Sequence, residues 1–434
     1  MVRLAVLWGA LAATVLGLAG CGAKEPAARF LREVEWVGKG VWLKADTHIH
    51  TKFSDGAHTV SEVVAKAAEH GCDVVAITDH ADRDLTAATP EYAAAIEAAR
   101  REHPEMIILA GVEWNIPPWG GDEHATVIVP TGPEEWRVLA DFKKRFDDLG
   151  REKHDPELAG EALKWLAQAA TVDGVLPLVI YEHPSRRRAS SLDIVADVQG
   201  WRSVNDLVIG LSGAPGHQRA NPLGAYEGDQ RPIDRWDPAA ARVGDAWDRL
   251  LGQGLDVWAA YAPSDFHYRN ADSHSDPWPG EFSETWLYAA QRTAAGALRA
   301  FRSGTFFAAH GHIAREVVFT VDAPDLQRAA LPGEVIEVVA GTQVTVRVEL
   351  VVPQRDWAGE ANRIDAVELI AITPESAAVV ANQPLESQQR EFTATVEVSP
   401  GGLVLRARGR RRAAQNEDLM FYTNPIRIRV RNGR

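Results

Sequence analysis

VVAITDH, Val74 to His80, is the stretch from which the fold is read. Val74, Val75 and Ile77 make a short apolar strand, with Asp79 and His80 at its C-terminal tip. A strand that ends by presenting a carboxylate and an imidazole is the unit from which metal-hydrolase barrels are built. The pattern recurs in DTHIHT (46–51), AGVEW (110–114), DEHATVIV (122–129), VIYEHP (179–184) and PSDFH (263–267).

Outward from that strand the chain alternates. Thr59 and Glu62 form a capping box ahead of the apolar stripe Val60, Val63, Val64, Ala67 and Ala68, and Gly71 closes this helix. Helical stretches are expected over 90–102, 134–149, 157–171, 191–199, 238–251 and 293–303, with strands between them. Strands alternating with helices predict a parallel sheet, and about seven such units predict an α/β barrel over 41–312 rather than an open sheet. Beyond 312 the period changes to two. GTQVTVRVELVV sets Val344, Val346, Val348 and Leu350 on one face, and REFTATVEVSPGGLVLRARG reads as two strands about a turn. A separate all-β, sandwich-like domain is expected over 313–434, without histidine and with its carboxylates on solvent faces.

At 434 residues and a net charge of −14, the chain has room for a large core and lacks the positive field that a nucleic-acid partner requires. Residues 1–20 run from Arg3 through an uncharged apolar stretch to LAGC, ending at Cys21. This resembles a bacterial lipoprotein signal, and the resemblance implies cleavage before Cys21, lipidation of its sulfur, and a lipid-anchored place in the extracytoplasmic cell envelope. The alternative is an uncleaved anchor helix. Residues 21–40 read as a tether. Cys72, the other cysteine, reads as a buried thiol without a disulfide partner.

The chemistry sits at the strand ends. His48 and His50 are two apart, so on a strand both rings reach one ion. Asp55 is either a further oxygen ligand or a turn residue before Gly56. Asp79 either ligates or orients His80. Glu113 ends an apolar strand, where a carboxylate is costly unless paired or metal-bound. His124 opens a strand, His183 ends one ahead of Pro184, and Asp265 with His267 repeats the two-apart arrangement. Of the 14 histidines, His58, His70, His103, His154, His274, His310 and His312 read as ordinary surface or loop residues.

D-x-H-x-H-T-x-x-S-D-G, then T-D-H, a buried Glu, H-P and S-D-x-H resembles the polymerase and histidinol phosphatase (PHP) family, from residue 42 to about 310. The resemblance implies a distorted (β/α)7 barrel, two or three divalent ions, and hydrolysis of phosphate esters. By position it implies that His48, His50, Glu113 and Asp265 hold one ion. Glu113 would bridge to a second, held by His124 and His183, and Asp55, His80 and His267 would hold a third. Asp79 then stands behind the ligands. The chain departs from the family at LVIGLSGAPGHQ (207–218), where Ser212, Gly213, Pro215 and Gly216 suggest a loop cradling an anion and His217 a group within reach of the site. Arg186, Arg187 and Arg188 are the candidate phosphate clamp.

Mixed imidazole and carboxylate ligands suit zinc, manganese or iron. The expected activity is therefore metal-dependent hydrolysis of a small-molecule phosphate ester by a metal-bridging hydroxide, with Asp79 or His217 as proton donor. Carbonyl (amide, carbamate or ester) hydrolysis on the same site is the first alternative, and a lipid-tethered, non-catalytic metal-binding protein the second.

Overall fold

The structure is a computed structural model that describes residues 27–188, 190–217, 226, 230–270, 275–386, 389–412 and 418–431. The leader (1–20), Cys21 and His274 lie outside the described residues. No described helix is long and apolar enough to cross a membrane.

The first part of the chain supplies β1 (Ala28–Arg32), β2 (Val41–Asp46), α1 (Val60–Glu69), β3 (Val74–Ile77), α2 (Pro90–Glu102), β4 (Ile107–Asn115) and β5 (His124–Val129). Then come α3 (Glu135–Phe146), α4 (Leu158–Ala169), β6 (Leu178–Tyr181), α5 (Ser191–Val204), β7 (Val208–Leu211), α6 (Pro238–Ala241) and α7 (Ala246–Gly252). After them follow β8 (Ser283–Ala289), α8 (Ala294–Ser303), β9 (Phe306–His310), β10 (Glu316–Asp322), β11 (Val335–Val338) and β12 (Gln343–Val351). The chain ends with β13 (Ala366–Ile372), β14 (Ala377–Pro384), β15 (Glu391–Glu397), β16 (Leu403–Arg412), β17 (Asp418–Thr423) and β18 (Ile426–Val430).

The sequence sets several of these locally. Thr59 accepts from the Glu62 N–H while Glu62 reaches back to the Thr59 backbone, so the capping box starts α1. Tyr92, Ile96 and Ala99 of α2 recur at helical spacing and are buried. β3, β4, β5, β6 and β7 are buried along their whole length, as strands covered on both faces are.

The expectation of a parallel sheet throughout needs correction. β2, β3 and β4 pair in parallel, and so do β6 and β7, but β5 is antiparallel to both its neighbours. The reason is connection length. Only residues 116–123 join β4 to β5, and a parallel crossover needs a dozen or more residues. The stretch read as the strand VWAAYAPSDFH is not a regular strand either. It runs extended beside β7 and the end of β2, bridging through Gly210–Trp258 and Ile49–Phe266.

The β-rich C-terminal region also differs from a sandwich set apart. Only β10, β12 and β15 form their own sheet. The other strands continue the sheet of the first part, in the order β1-β11-β18-β16-β17-β9-β8-β2, because β17 pairs with β9 through Phe421–Ala309, Tyr422–Ala308 and Thr423–Phe307. Ile370, Val404 and Tyr422 accordingly pack into the core under the helices. β1 lies within the stretch read as a tether and pairs with β11, its Ala28 buried. Nor are all carboxylates here on solvent faces. Glu334 is fully buried and accepts hydrogen bonds from Arg328 and from the N–H groups of Val34 and Leu331.

Candidate metal centre

The site is built by backbone that leaves the strand ends and ties itself together. β2 stops at Asp46, so His48 and His50 lie on its extended continuation, where alternation still turns both rings to one side. The His50 N–H donates to the Phe266 carbonyl (2.8 Å) and the Thr78 N–H to that of Ile49 (2.9 Å). His80 bridges Glu113, with the Ala81 N–H on the Glu113 carbonyl at 2.7 Å and the Glu113 N–H on that of Asp79 at 3.1 Å.

Glu113 is the focus. Its Oε1 lies 3.4 Å from His48 Nε2, 2.9 Å from His124 Nδ1 and 3.2 Å from His183 Nε2. Its Oε2 lies 3.2 Å from His50 Nε2 and 3.1 Å from His80 Nδ1. Asp265 Oδ1 stands 3.2 Å from both His48 Nε2 and His50 Nε2, which are 3.1 Å from each other. Asp55, half exposed, closes the far side, with Oδ2 3.3 Å from His267 Nε2 and 3.6 Å from His80 Nε2.

Ligand atoms therefore converge in four overlapping sets, each within 4.8 Å: His48, His50, Glu113 and Asp265; His50, Asp55, His80 and His267; His80, Glu113 and His124; His217, His267 and Asp276. His183 joins through Glu113. All nine residues assigned to metal by resemblance meet here.

The ring tautomers test whether this set fits cations. His124 Nε2 donates to the Gly121 carbonyl at 3.0 Å, leaving the Nδ1 lone pair toward Glu113. His267 Nδ1 donates to the Asp265 carbonyl at 2.9 Å, leaving Nε2 toward Asp55. His48 Nδ1 faces Glu182 Oε2 at 3.2 Å, leaving Nε2 toward Glu113 and Asp265. In each case a lone pair points at a carboxylate. Facing acceptors repel unless a cation sits between them, and imidazoles held by their outer N–H are the usual metal-ligand arrangement. Buried Asp265 Oδ1 makes no hydrogen bond of good geometry among the described residues. The residues fit divalent ions.

Where no ion lies between rings and carboxylates, protons on the rings supply the positive charge instead. Burial alone would raise Glu113, but the His124, His80 and His48 rings hold it well below the ordinary carboxylate range. Asp265 is likewise held low against burial by His48, His217 and His267. Burial, with Arg186 beside it, pushes His183 well below the ordinary imidazole range. Such a cluster of buried, mutually shifted groups is a mark of a functional site.

Other expectations divide. Asp79 neither ligates nor orients His80. Its Oδ1 accepts from the Thr51 N–H (2.7 Å) and the Ser54 hydroxyl (2.6 Å), and its Oδ2 from the Thr51 hydroxyl (2.7 Å). With those acceptors engaged it pins the loop after His50 and is not placed to donate a proton. Of the three arginines, only Arg186 turns inward, its Nη2 3.2 Å from His124 Nδ1 and its buried Nε without a partner among the described residues. Arg187 pairs at the surface with Asp122, and Arg188 lies on the Trp119 ring and pairs with Asp197 and Glu123.

Ser212 and Gly213 do not cradle an anion, because their N–H groups donate to the carbonyls of Tyr181 (2.7 Å) and Tyr261 (2.9 Å). Gly216 is a glycine for a different reason. A Cβ there would stand 1.9 Å from Asp265 Oδ2. His217 does reach the site, stacked on His267 at 4.1 Å between centroids and 3.8 Å from Asp265 Oδ2. His183, His217 and Asp265 all have positive φ (30°, 56° and 49°), a backbone cost of about 1–3 kcal/mol each that clusters at functional sites. His310, read as a surface residue, is fully buried between Phe282 and Trp236.

Two contributors went unread in the sequence. Asp276 accepts the His267 N–H at 2.9 Å. Nothing in its local sequence marks it. Glu182 faces His48, and its signal was available as a second acidic residue at the β6 end, next to His183.

Residues 46–198 match the PHP domain family. This chain is an enzyme of the PHP type, a metal-dependent phosphoesterase at the level of class. The chain is 28% identical over 310 residues to a 3',5'-nucleoside bisphosphate phosphatase of Chromobacterium violaceum, covering 65% of this chain and 93% of that one. It is 36% identical over 84 residues to the DNA polymerase/3'-5' exonuclease PolX of Bacillus subtilis, covering 18% of this chain and 15% of the other. Among solved structures it resembles a two-domain protein from Bacteroides vulgatus described as containing a PHP-like metal-dependent phosphoesterase (TM-score 0.39, 14% identity, 89% of this chain and 95% of that one). A Chromobacterium violaceum amidohydrolase aligns at a TM-score of 0.32 and 17% identity, over 54% of this chain and 90% of that one.

Proposed function

We propose that the PHP domain hydrolyses a small-molecule phosphate monoester at a di- or trinuclear site made by His48, His50, Asp55, His80, Glu113, His124, His183, Asp265 and His267. The observation that carries this reading is Glu113, one carboxylate whose two oxygens face different groups of histidines. The nitrogen and oxygen donor set suits zinc, manganese or iron. When bound, such ions supply Lewis-acid neutralisation of phosphoryl charge and lower the pKa of a coordinated water.

The chain's own residues do the rest. Arg186 offers a half-buried guanidinium at the wall of the cluster, where an anionic phosphoryl oxygen gains a charge-assisted hydrogen bond. His217 lies over His267 at the same rim, a ring able to reach the departing oxygen. Asp79 and Asp276 hold the backbone of the ligand-bearing loops. The bisphosphate phosphatase relative supports a nucleotide-like phosphomonoester as substrate.

The test is a reporter comparison of the purified chain on phosphomonoester, phosphodiester and carboxyl ester substrates, with bound metal measured in parallel. Phosphomonoester turnover that is lost in His183→Ala is the expected result. Cleavage of carboxyl or amide reporters alone would move the reading to carbonyl hydrolysis, and a metal-free, inactive chain would refute it. We further propose, on the leader sequence, that Cys21 carries a lipid anchor in the cell envelope. Recovery of Cys21→Ser in the membrane fraction would count against that.

A further inference from the structure

Glu182 follows β6 directly and is fully enclosed beneath the ligand cluster, 1% exposed. A carboxylate buried this deeply costs several kcal/mol unless it is paired, yet no lysine or arginine forms an ion pair with it among the described residues. Its Oε1 has no hydrogen-bond partner among the described residues. Its Oε2 faces His48 Nδ1 at 3.2 Å, and the Thr126 side chain also hydrogen-bonds to the carboxylate. Thr126 Oγ1, from β5, approaches the same nitrogen at 3.2 Å.

Nδ1 is the side of the ring away from the cluster. His48 Nε2, on the other side, lies 3.2 Å from Asp265 Oδ1, 3.4 Å from Glu113 Oε1 and 3.1 Å from His50 Nε2. Glu182 is thus on the wrong side of the ring to share an ion with Nε2, and on the right side to decide which nitrogen carries hydrogen. A carboxylate accepting from Nδ1–H keeps Nε2 bare, fixes the ring plane and makes Nε2 a stronger donor.

We propose that Glu182 is a positioning residue that locks His48 with its Nε2 lone pair on the cluster, and so sets the affinity of the position formed by His48, His50, Glu113 and Asp265. This rests on the metal-site reading above. Thr126 assists by hydrogen-bonding to the Glu182 carboxylate beside Nδ1. The group acts through His48 and touches neither ion nor substrate.

The experiment compares the full chain with Glu182→Gln, Glu182→Leu and Thr126→Val. Zn(II) and Co(II) serve as probes, with competition against a chromophoric chelator and the Co(II) absorption spectrum as readouts. Glu182→Leu is expected to weaken one class of bound Zn(II) by about 10- to 100-fold. Glu182→Gln, which keeps an acceptor and loses the charge, should fall between it and the unaltered chain, and Thr126→Val should weaken binding least. The Co(II) bands should shift in both Glu182 variants. If Glu182→Leu does not fold, Glu182→Gln decides alone. Variants that lose thermal stability but keep the competition curve and Co(II) spectrum would overturn the proposal and leave the metal site standing. An unaltered chain that takes up neither Zn(II) nor Co(II) would overturn both.

Discussion

The chain buries charge in two places and handles it in opposite ways. Between α7 and β16, Arg406 and Asp248 are both buried and form a forked pair, Nε to Oδ1 at 2.7 Å and Nη2 to Oδ2 at 2.9 Å. The guanidinium lies 4.6 Å over the Trp247 ring, and Asp248 Oδ2 also accepts the Gly244 N–H. Opposite charges there meet each other. At the strand ends around Glu113, lone pairs of His48, His124 and His267 are turned toward carboxylate oxygens. There the charges face a shared centre that a cation completes. Burial alone does not separate a packing ion pair from a metal site. The direction of the lone pairs does.

Glu113 is where the two kinds of buried charge differ most. Glu113→Gln should abolish phosphoester turnover and lower the bound metal, because two groups of histidines lose their common carboxylate. Metal analysis and turnover check it, and a chain that keeps both would make Glu113 a packing residue like Asp248. Arg406→Ala should do the reverse. It leaves Asp248 buried and unpaired, at a cost of about 3–5 kcal/mol, read from the urea midpoint, while the metal content per folded chain stays unchanged. Loss of metal there would join the β-rich region to the site.

Asp79→Asn sharpens the contrast between holding a loop and holding an ion. It should lower turnover by about 10- to 100-fold through weaker metal binding, and added metal should restore part of the loss. No recovery at any metal concentration would indicate a direct chemical role. Arg186→Ala should lower kcat/KM on phosphomonoesters by about 10- to 100-fold, the loss of one charge-assisted hydrogen bond. Arg187→Ala, which breaks a surface pair with Asp122 and an exposed hydrogen bond to the Gly121 carbonyl, should cost about 1 kcal/mol of stability at most and leave kcat/KM unaltered. Equal effects of the two substitutions would mean that the arginine run acts as a general positive field.

Much of the centre was legible because it is local. H-x-H, T-D-H, H-P and S-D-x-H each place polar residues where a strand ends, and strand ends in such sheets face one side. The apolar runs that became β3, β4 and β6 were legible for the same reason. What was not legible depended on partners far along the chain. Asp79 has the spelling of a ligand or an orienting acid, and only the approach of Thr51 and Ser54 makes it a loop anchor. Three consecutive arginines are alike in sequence, and the turn after His183 sends one inward and two away. Period two in the last third read as strands, but not that β17 would pair with β9 and extend the sheet of the first part.

By itself, then, the sequence determined which residue types stand at the strand ends, since side-chain alternation and the strand-breaking Pro and Gly act over a few residues. The tertiary structure decided everything that depends on direction. It turned β5 antiparallel through a connection too short to cross over. It chose which nitrogen of each histidine faces Glu113, and it set Glu182 behind His48. Hydrogen-bond direction and ring orientation arise only where segments distant in the chain are pressed together without water, and no local pattern encodes them.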